Sequence, residues 1–253
     1  MHRFFVPPEL LTGLNAGSAR PIALPEKLAH QVRDVLHLGI GEHLVLLDNS
    51  GTEVLADVSK SSRAGVEVLL LERRTGQPPS PVRVILCQGL LKSARFEWIL
   101  EKGTELGVAV FMPTLCRRSM SGLEDAGPAK IQRWRRIIQE ATEQCGRARL
   151  PELLPIRPLL HALNDIPPGA LALMPWEEES SRSLRDVLTS ARPATPTPLT
   201  VVLFIGPEGG LMPEEVLLAQ RQGVQVVTLG QRIMRAETAA LAAVANVMYA
   251  LEA

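Results

Sequence analysis

The first residues that could do chemistry are Gly206-Pro207-Glu208-Gly209-Gly210, which directly follow the apolar run TVVLFI. Glycines at a strand end let backbone amides and carbonyls approach a ligand, and α/β proteins bind ligands at the carboxyl ends of their strands. The glycine spacing matches neither GxGxxG nor a Walker loop, which disfavours a dinucleotide or nucleoside triphosphate site. A tight turn between a strand and a helix is the alternative interpretation.

A second polar group follows the apolar run VQVVTLG, where Arg232, Arg235, Glu237 and Thr238 fall within seven residues. Glu237 and Thr238 could simply begin the alanine-rich helix that comes next. The two glycine-bearing strand ends, however, lie only 24 residues apart. If their strands are adjacent and parallel, both loops face one crevice, so the sequence predicts a ligand site built from the two loops.

Strands alternating with helices must position these loops. From residue 82 onward, short buried strands are predicted at VRVILCQGL, AVFMPTL, LALMP, TVVLFIG and VQVVTLG. Amphipathic or alanine-rich helices are predicted at ARFEWILEKGTELG, at Ala129 to Cys145 and at Glu237 to Leu251. This order predicts an α/β fold with a mostly parallel sheet that is covered on both faces.

Residues 1–72 have a different pattern. Short β-branched or leucine-rich runs, separated by turn residues, predict a small antiparallel β barrel or sandwich. Residues 73–81, RRTGQPPSP, have no periodicity and predict a linker. The sequence therefore predicts two domains, at 1–72 and 82–253.

Charge is unevenly distributed along the chain, although 27 Lys and Arg balance 27 Asp and Glu. Residues 1–72 hold 6 basic and 9 acidic side chains, residues 73–149 hold 14 and 7, and residues 150–253 hold 7 and 11. The three segments thus carry −3, +7 and −4. A basic middle segment could bind phosphate groups of a nucleic acid locally, and a solvated basic helix face is the alternative.

The cysteines and the apolar runs exclude other classes. Cys87, Cys116 and Cys145 show no CxxC spacing and no clustered His, so neither a disulfide framework nor a zinc site is predicted. No apolar run is long enough to span a membrane, and the first residues lack the pattern of a secretory signal. We therefore expect a cytoplasmic protein without a metal.

The two loops resemble those of a known family. A strand followed by GPEGG and a helix, with LGxRIxRxETA further along, resembles the SPOUT methyltransferases, in particular the family that methylates N3 of a uridine in 16S ribosomal RNA. Matching stretches cover nearly the whole chain: RFFV at 3–6, His30, Val35-Leu36, Lys92, EKGTELG at 101–107 and EQCGR at 143–147. The chain departs from the family at His37, where Arg is frequent, and at Met234, where Leu is usual.

The resemblance implies a fold, a cofactor and an assembly state. The expected fold has an N-terminal PUA-like β-barrel domain that binds RNA and a C-terminal SPOUT domain with a trefoil knot. The expected assembly is a homodimer, and the expected cofactor is S-adenosylmethionine. The residues carried over to its site are Leu173, Met174, Gly206, Pro207, Glu208, Gly209, Gly210, Leu229, Gly230, Ile233, Met234, Glu237 and Thr238.

Methylation at N3 also requires control of the N3 proton of uracil. Arg235 is the candidate catalytic residue, because its charge could stabilise the uracil carbonyl oxygens as N3 loses that proton. Glu208, Glu237 and a water stay open as proton acceptors. Contacts to RNA are predicted for Arg3, His30, Lys92, Arg117, Arg118, Gln144 and Arg147.

The expected partner is 16S ribosomal RNA within an assembled small subunit. Only 4% of the residues are aromatic, which leaves few platforms for stacking free bases. Two other functions stay open at this point: a SPOUT methyltransferase that acts on another RNA, and a non-catalytic ribosome-assembly factor that binds RNA. The intact GPEGG and RAET loops favour an enzyme.

Overall fold

A computed structural model of the protein describes residues 1–12, 20–119, 122, 127–191 and 198–252. The chain divides into two compact units. The first comprises Met1–Pro79 and Thr142–Leu150, and the second comprises Ser80–Ala141 and Pro151–Ala253. Both glycine-bearing loops therefore belong to the second unit.

The first unit contains a sheet that has five strands over the described residues, in the order β1-β3-β4-β5-β2. The strands are β1 (His2–Phe5), β2 (Ile22–Ala23), β3 (His43–Leu47), β4 (Thr52–Ser62) and β5 (Gly65–Thr75). The prediction of a purely antiparallel structure is wrong at β1, which pairs with β3 in parallel. Parallel neighbours need a crossover connection, and the helix α1 (Glu26–His30) with the π-helical turn Gln31–Val35 lies between them in the chain.

The boundaries of the first unit differ from the predicted 1–72. Residues 73–75, assigned by sequence to the linker, continue β5, because Arg74 pairs with Glu53 in the ladder and their side chains form an ion pair of 2.8 Å. The segment Thr142–Leu150 also packs on this unit: Ala148 contacts a small apolar cluster, and the Leu150 amide donates to Asn49 Oδ1 at 2.7 Å. The unit is therefore discontinuous in sequence.

The second unit confirms the predicted α/β fold with a parallel sheet. Its strands, counted over the described residues, number seven and run in the order β12-β10-β11-β6-β7-β8, with β9 also paired to β7. Every pairing in this sheet is parallel. The strands are β6 (Val82–Gly89), β7 (Val108–Leu115), β8 (Glu152–Leu153), β9 (Arg157–Pro158), β10 (Leu171–Pro175), β11 (Leu199–Ile205) and β12 (Gln225–Val227).

Helices cover both faces of this sheet because side chains alternate along each buried strand. Val84 and Leu86 of β6 join one apolar cluster, whereas Ile85 and Cys87 join the other. The first cluster packs α2, α3, α5 and α7, and the second packs α4 and α6. These helices are α2 (Ser93–Glu105), α3 (Pro128–Cys145), α4 (Leu159–Asn164), α5 (Leu184–Ala191), α6 (Pro213–Arg221) and α7 (Ala236–Leu251).

The strand order corrects one step of the sequence interpretation. The two strands that precede the glycine-bearing loops, β11 and β12, are not adjacent, because β10 lies between them and pairs with both. All three strands are parallel, so their carboxyl ends still lie at the same edge of the sheet. The end of β10 is therefore placed between the two loops.

Candidate active site

The carboxyl ends of β10, β11 and β12 and the start of α7 enclose a cavity of about 340 Å³. Small-molecule sites of proteins commonly have volumes of about 300–1,000 Å³. The segments that follow the three strands and four residues from α2 and α7 form the wall. The lining residues are Arg95, Pro175, Trp176, Glu177, Ile205, Gly206, Pro207, Glu208, Gly210, Leu211, Thr228, Leu229, Gly230, Gln231, Arg232, Ile233, Met234, Arg235, Ala236, Glu237 and Ala239. The two glycine-bearing loops that the sequence predicts to form one ligand site thus line the same pocket.

The first loop, Gly206–Gly210, is a turn fixed by its own backbone. The Gly210 amide donates to the Pro207 carbonyl at 2.9 Å, and Gly210 has a φ of +73°. A side chain at this position would be strained by that φ and would also collide with the Glu177 carboxylate. The loop is held from outside by Arg118, whose Nη1 donates to the Gly209 carbonyl at 3.0 Å.

A buried carboxylate ties the end of this loop to a second turn. Glu215, 7% exposed on α6, accepts hydrogen bonds from the backbone amides of Arg117 and Met212, each at 2.9 Å. Each carboxylate oxygen therefore satisfies one amide. Because Met212 follows the loop and Arg117 follows β7, Glu215 fixes the loop relative to the sheet.

The second loop, Thr228–Arg235, leads into α7. Gly230 has a φ of +115°, which favours glycine, and its amide donates to Thr228 Oγ1 at 3.1 Å. Ile233 is 85% exposed. Arg235 lies at the N-cap of α7, and its exposed side chain forms no ion pair with the described residues. The guanidinium of Arg235 is therefore available to a ligand in the pocket.

Two carboxylates on the pocket wall share one arginine. Arg95 Nη1 lies 3.5 Å from Glu208 Oε1, and Arg95 Nε lies 3.6 Å from Glu237 Oε1. Glu208 Oε1 also accepts the backbone amide of Lys92 at 3.2 Å. The other oxygen of Glu237, Oε2, is buried and has no hydrogen-bond partner among the described residues.

The pocket wall also contains an unsatisfied donor. Trp176 Nε1 is buried without a hydrogen-bond partner in the described part of the chain. A buried polar atom without a partner is costly, and few occur in native proteins. Trp176 Nε1 and Glu237 Oε2 therefore provide one donor and one acceptor that a bound ligand could satisfy.

The structure brings most of the predicted cofactor residues to this wall. Gly206, Pro207, Glu208, Gly210, Leu229, Gly230, Ile233, Met234 and Glu237 line it, as does the candidate catalytic Arg235. Gly209 and Thr238 belong to the same two segments but are not among the lining residues. Leu173 and Met174 are fully buried in the core and are not among the lining residues, which on β10 begin at Pro175.

Arg95, Trp176, Glu177 and Glu215 were missed by sequence reasoning. Arg95 lies in the first turn of α2, more than a hundred residues before the loops that it contacts, and no local pattern links it to them. Trp176 and Glu177 directly follow the strand LALMP. Their position at the carboxyl end of a predicted parallel strand is the signal that could have found them, since α/β proteins bind ligands there.

The predicted RNA-binding residues fall on both units. Lys92, Arg117 and Arg118 of the second unit are exposed, and in the first unit His30 and Gln144 are exposed while Arg147 is half-buried. Arg3 has a structural role in its own unit, since its Nη1 lies 2.5 Å from Glu53 Oε1, and Glu53 is 3% exposed. Burial raises the pKa of Glu53, but the hydrogen bonds from Arg3 and Arg74 outweigh it, so the pKa is lowered overall.

Two of the three cysteines, Cys87 and Cys116, are buried. Burial, with a smaller effect of Glu215, raises the pKa of the Cys116 thiol to about 12, and burial likewise raises the pKa of Cys87. Such thiols are poor nucleophiles. Over the residues that the structure describes, no group of three or more His, Cys, Asp or Glu could hold a metal ion, and no helix is long and apolar enough to cross a membrane.

Known proteins are similar in sequence to this chain over most of its length. The RNA methyltransferase domain family matches residues 78–248. Ribosomal RNA small subunit methyltransferase E of Bacillus subtilis is 28% identical over 253 residues, which cover 100% of this chain and 98% of the relative. The protein of the same name from Synechocystis is 33% identical over 232 residues, which cover 91% of this chain and 74% of the relative.

Solved structures share the fold over the whole chain. The crystal structure of a ribosomal RNA small subunit methyltransferase E from Neisseria gonorrhoeae bound to S-adenosyl methionine has a TM-score of 0.84 and 29% identity, and covers 99% of this chain and 98% of that chain. A methyltransferase from Legionella pneumophila in complex with the cofactor SAM has a TM-score of 0.83 and 28% identity, and covers 98% and 97%. This protein therefore belongs to the RNA methyltransferase domain family, and within it to the ribosomal RNA small subunit methyltransferases E.

Proposed function

We propose that this protein transfers the methyl group of S-adenosylmethionine to N3 of a uridine in 16S ribosomal RNA. The observation that carries the proposal is the pocket at the ends of β10, β11 and β12, in a chain of this family. Relatives named for the ribosomal small subunit support the RNA class, and similar structures with bound S-adenosylmethionine support the cofactor.

The residues of the pocket fit this cofactor. Backbone groups of the Gly206–Gly210 loop and of Leu229 and Gly230 offer hydrogen bonds to the adenine, ribose and amino-acid parts. The unpartnered Trp176 Nε1 and Glu237 Oε2 add a donor and an acceptor. Because S-adenosylmethionine carries both kinds of group, these atoms can be satisfied in the complex.

When bound, S-adenosylmethionine supplies an electrophilic methyl group, so the protein has to orient the uracil and manage its N3 proton. The base must be unpaired, since N3 lies on its Watson–Crick edge. Arg235 lines the pocket with an unpaired guanidinium, over the described residues, and stabilises the negative charge on the uracil carbonyl oxygens as N3 loses its proton. Glu208 Oε1 contacts both the Lys92 amide and Arg95, whereas Glu237 Oε2 has no partner among the described residues, so Glu237 is our candidate to accept the proton.

The finer architecture is part of the proposal. The first unit acts as a PUA-like RNA-binding domain, and the second forms a trefoil-knotted SPOUT domain that dimerises through its alanine-rich helix α7. Exposed basic side chains, among them Lys92, Arg117 and Arg118, contact RNA phosphates, with Gln144 and Arg147 on the other unit. The partner is 16S ribosomal RNA within the small subunit.

Methyl transfer from labelled S-adenosylmethionine to small subunits, naked 16S RNA and transfer RNA tests the proposal. We expect incorporation into the small subunit or its RNA and none into transfer RNA. Arg235→Ala should lower kcat by about 100-fold while the Kd for S-adenosylmethionine changes little, since one charge-stabilising donor contributes about that much. Arg133→Ala is the matched control, because Arg133 pairs with Glu97 and does not line the pocket. Wild-type turnover by Arg235→Ala would refute its role, and transfer to transfer RNA alone would refute the substrate.

A further inference from the structure

Arg95 connects three parts of the chain that form the pocket wall. It lies in the first turn of α2, Glu208 lies in the loop after β11, and Glu237 lies in the first turn of α7. Its Nη1 and Nε reach the two carboxylates at 3.5 and 3.6 Å. A guanidinium carries five N–H groups in a rigid fork, which allows one side chain to serve two carboxylates.

This arginine contributes little to the stability of the fold. Its side chain is 42% exposed and both contacts are long for ion pairs, and ion pairs at exposed sites contribute little to stability. The two carboxylates differ in what else they bind. Glu208 also accepts the Lys92 amide. Glu237 Oε1 lies within ion-pair distance of Arg95, and Glu237 Oε2 has no hydrogen-bond partner among the described residues.

A contact at one carboxylate oxygen restricts where the other can lie, because the group is planar and turns only about the Cγ–Cδ bond. Glu237 is 9% exposed and lines the pocket, so bulk water does not supply a hydrogen bond to its unpartnered Oε2. A buried polar atom without a hydrogen bond is unfavourable, so Oε2 needs another donor. We propose that Arg95 is a positioning residue of the active site, which holds Glu237 by Oε1 so that Oε2 accepts a hydrogen bond from the ligand. This inference rests on the proposed function, and Arg95 itself contacts no reacting atom in it.

The chemistry that Oε2 recognises is an N–H or O–H donor. S-adenosylmethionine offers such donors in its amine, its adenine and its ribose, and the target uracil offers N3–H. These two sources are separable, because the cofactor can be titrated without RNA. A cofactor donor would make the Kd for S-adenosylmethionine depend on Glu237, whereas the uracil donor would make kcat at saturating cofactor depend on it.

The experiment compares Arg95→Ala, Arg95→Lys, Glu237→Gln and the double variant Arg95→Ala/Glu237→Gln, with Arg133→Ala as the matched control. Calorimetry gives the Kd for S-adenosylmethionine, and methyl transfer to small subunits gives kcat and KM. We expect Arg95→Ala to raise Kd or lower kcat by about tenfold, the size of one lost hydrogen bond to a charged group. Arg95→Lys should recover part of the lost affinity or turnover, since an ammonium keeps the positive charge but lacks the planar guanidinium that can contact two carboxylates.

The double variant separates positioning from a general structural effect. If Arg95 acts through Glu237, its removal adds little once Glu237 is Gln, so the two losses are not additive. Additive losses would overturn the inference, as would wild-type Kd and kcat in Arg95→Ala. The midpoint of thermal unfolding without ligand should fall by about 4 °C or less in Arg95→Ala, and a larger fall would also overturn it.

Failure of this inference differs from failure of the proposed function. If the wild-type protein and Arg133→Ala neither bind S-adenosylmethionine nor methylate small subunits, the proposed function is wrong and the inference falls with it. If both are active and Arg95→Ala is equally active, only the role of Arg95 is wrong.

Discussion

Replacement of Glu215 by Gln should both loosen the Gly206–Gly210 loop and lower the free energy of unfolding. Glu215 is 7% exposed, and each of its two oxygens accepts one backbone amide at 2.9 Å. In Glu215→Gln one oxygen remains, while the new NH₂ group faces an amide that also donates. The loss of one hydrogen bond to a charged group costs about 1.5–3 kcal/mol. For a chain of this size that lowers Tm by about 3–12 °C.

The assay is urea unfolding of the ligand-free protein, followed by calorimetric titration with S-adenosylmethionine. The Kd should rise by about tenfold, because Met212 directly follows the Gly206–Leu211 segment and loses its fixed position when its amide is unpaired. The control is Glu214→Gln, since Glu214 is the exposed neighbour in the same helical turn. If Glu215→Gln unfolds and binds like Glu214→Gln, the loop is not held by this carboxylate.

Substitutions at Glu53, Gly210 and Lys92 test other contacts of the molecule. Folding lowers the pKa of Glu53, so its ionised carboxylate stabilises the folded protein at pH values above the pKa that Glu53 has in the unfolded chain. This stabilisation is lost as the pH falls through the pKa of Glu53 in the folded protein. Glu53→Gln, which leaves Arg3 and Arg74 without their carboxylate, should therefore reduce the free energy of unfolding by about 1.5–3 kcal/mol at pH 7, and by progressively less in urea titrations below about pH 4. Gly210→Ala should cost about 1–2 kcal/mol and weaken cofactor binding in calorimetry, because φ is +73° and the added Cβ meets a neighbouring carboxylate. Lys92→Ala should lower the salt dependence of RNA affinity by about one unit of slope with no change in the Kd for the cofactor, and an unchanged slope would remove Lys92 from the RNA surface.

Sequence patterns predicted the sheet of the second unit well because its strands are buried on both faces. Such strands are short continuous apolar runs bounded by turn residues, and the sequence predicted five of the seven strands found over the described residues. The two that were missed, Glu152–Leu153 and Arg157–Pro158, have two residues each and no apolar run. Strand order left no mark on the sequence, so the position of β10 between β11 and β12 could not be read from it.

The candidate site was predictable only where its residues are local in sequence. Gly206 and Gly230 mark loops by their type, and the polar groups beside them were found with them. Arg95 and Glu215 reach the same loops from other helices, and a single Arg or Glu on a helix looks like an ordinary surface residue. Arg3 shows the converse: its position in the matching RFFV stretch predicts an RNA contact, and only the tertiary structure reveals its ion pair with the buried Glu53.

The unit boundaries were misplaced for a related reason. Composition places the change from one unit to the next near residue 72, but the strand β5 continues to Thr75, where Arg74 pairs with Glu53. The return of Thr142–Leu150 to the first unit depends on contacts such as the Phe5 amide donating to Glu143 Oε1 at 2.9 Å. Contacts between residues so far apart in the chain leave no periodic pattern.

The most direct test of the central claim is nucleoside analysis of small ribosomal subunits after incubation with the protein and labelled S-adenosylmethionine. We predict that the label is recovered in N3-methyluridine. Label in another nucleoside or in a ribose methyl group would contradict the proposed reaction. So would RNA that stays unlabelled although the protein binds both RNA and S-adenosylmethionine.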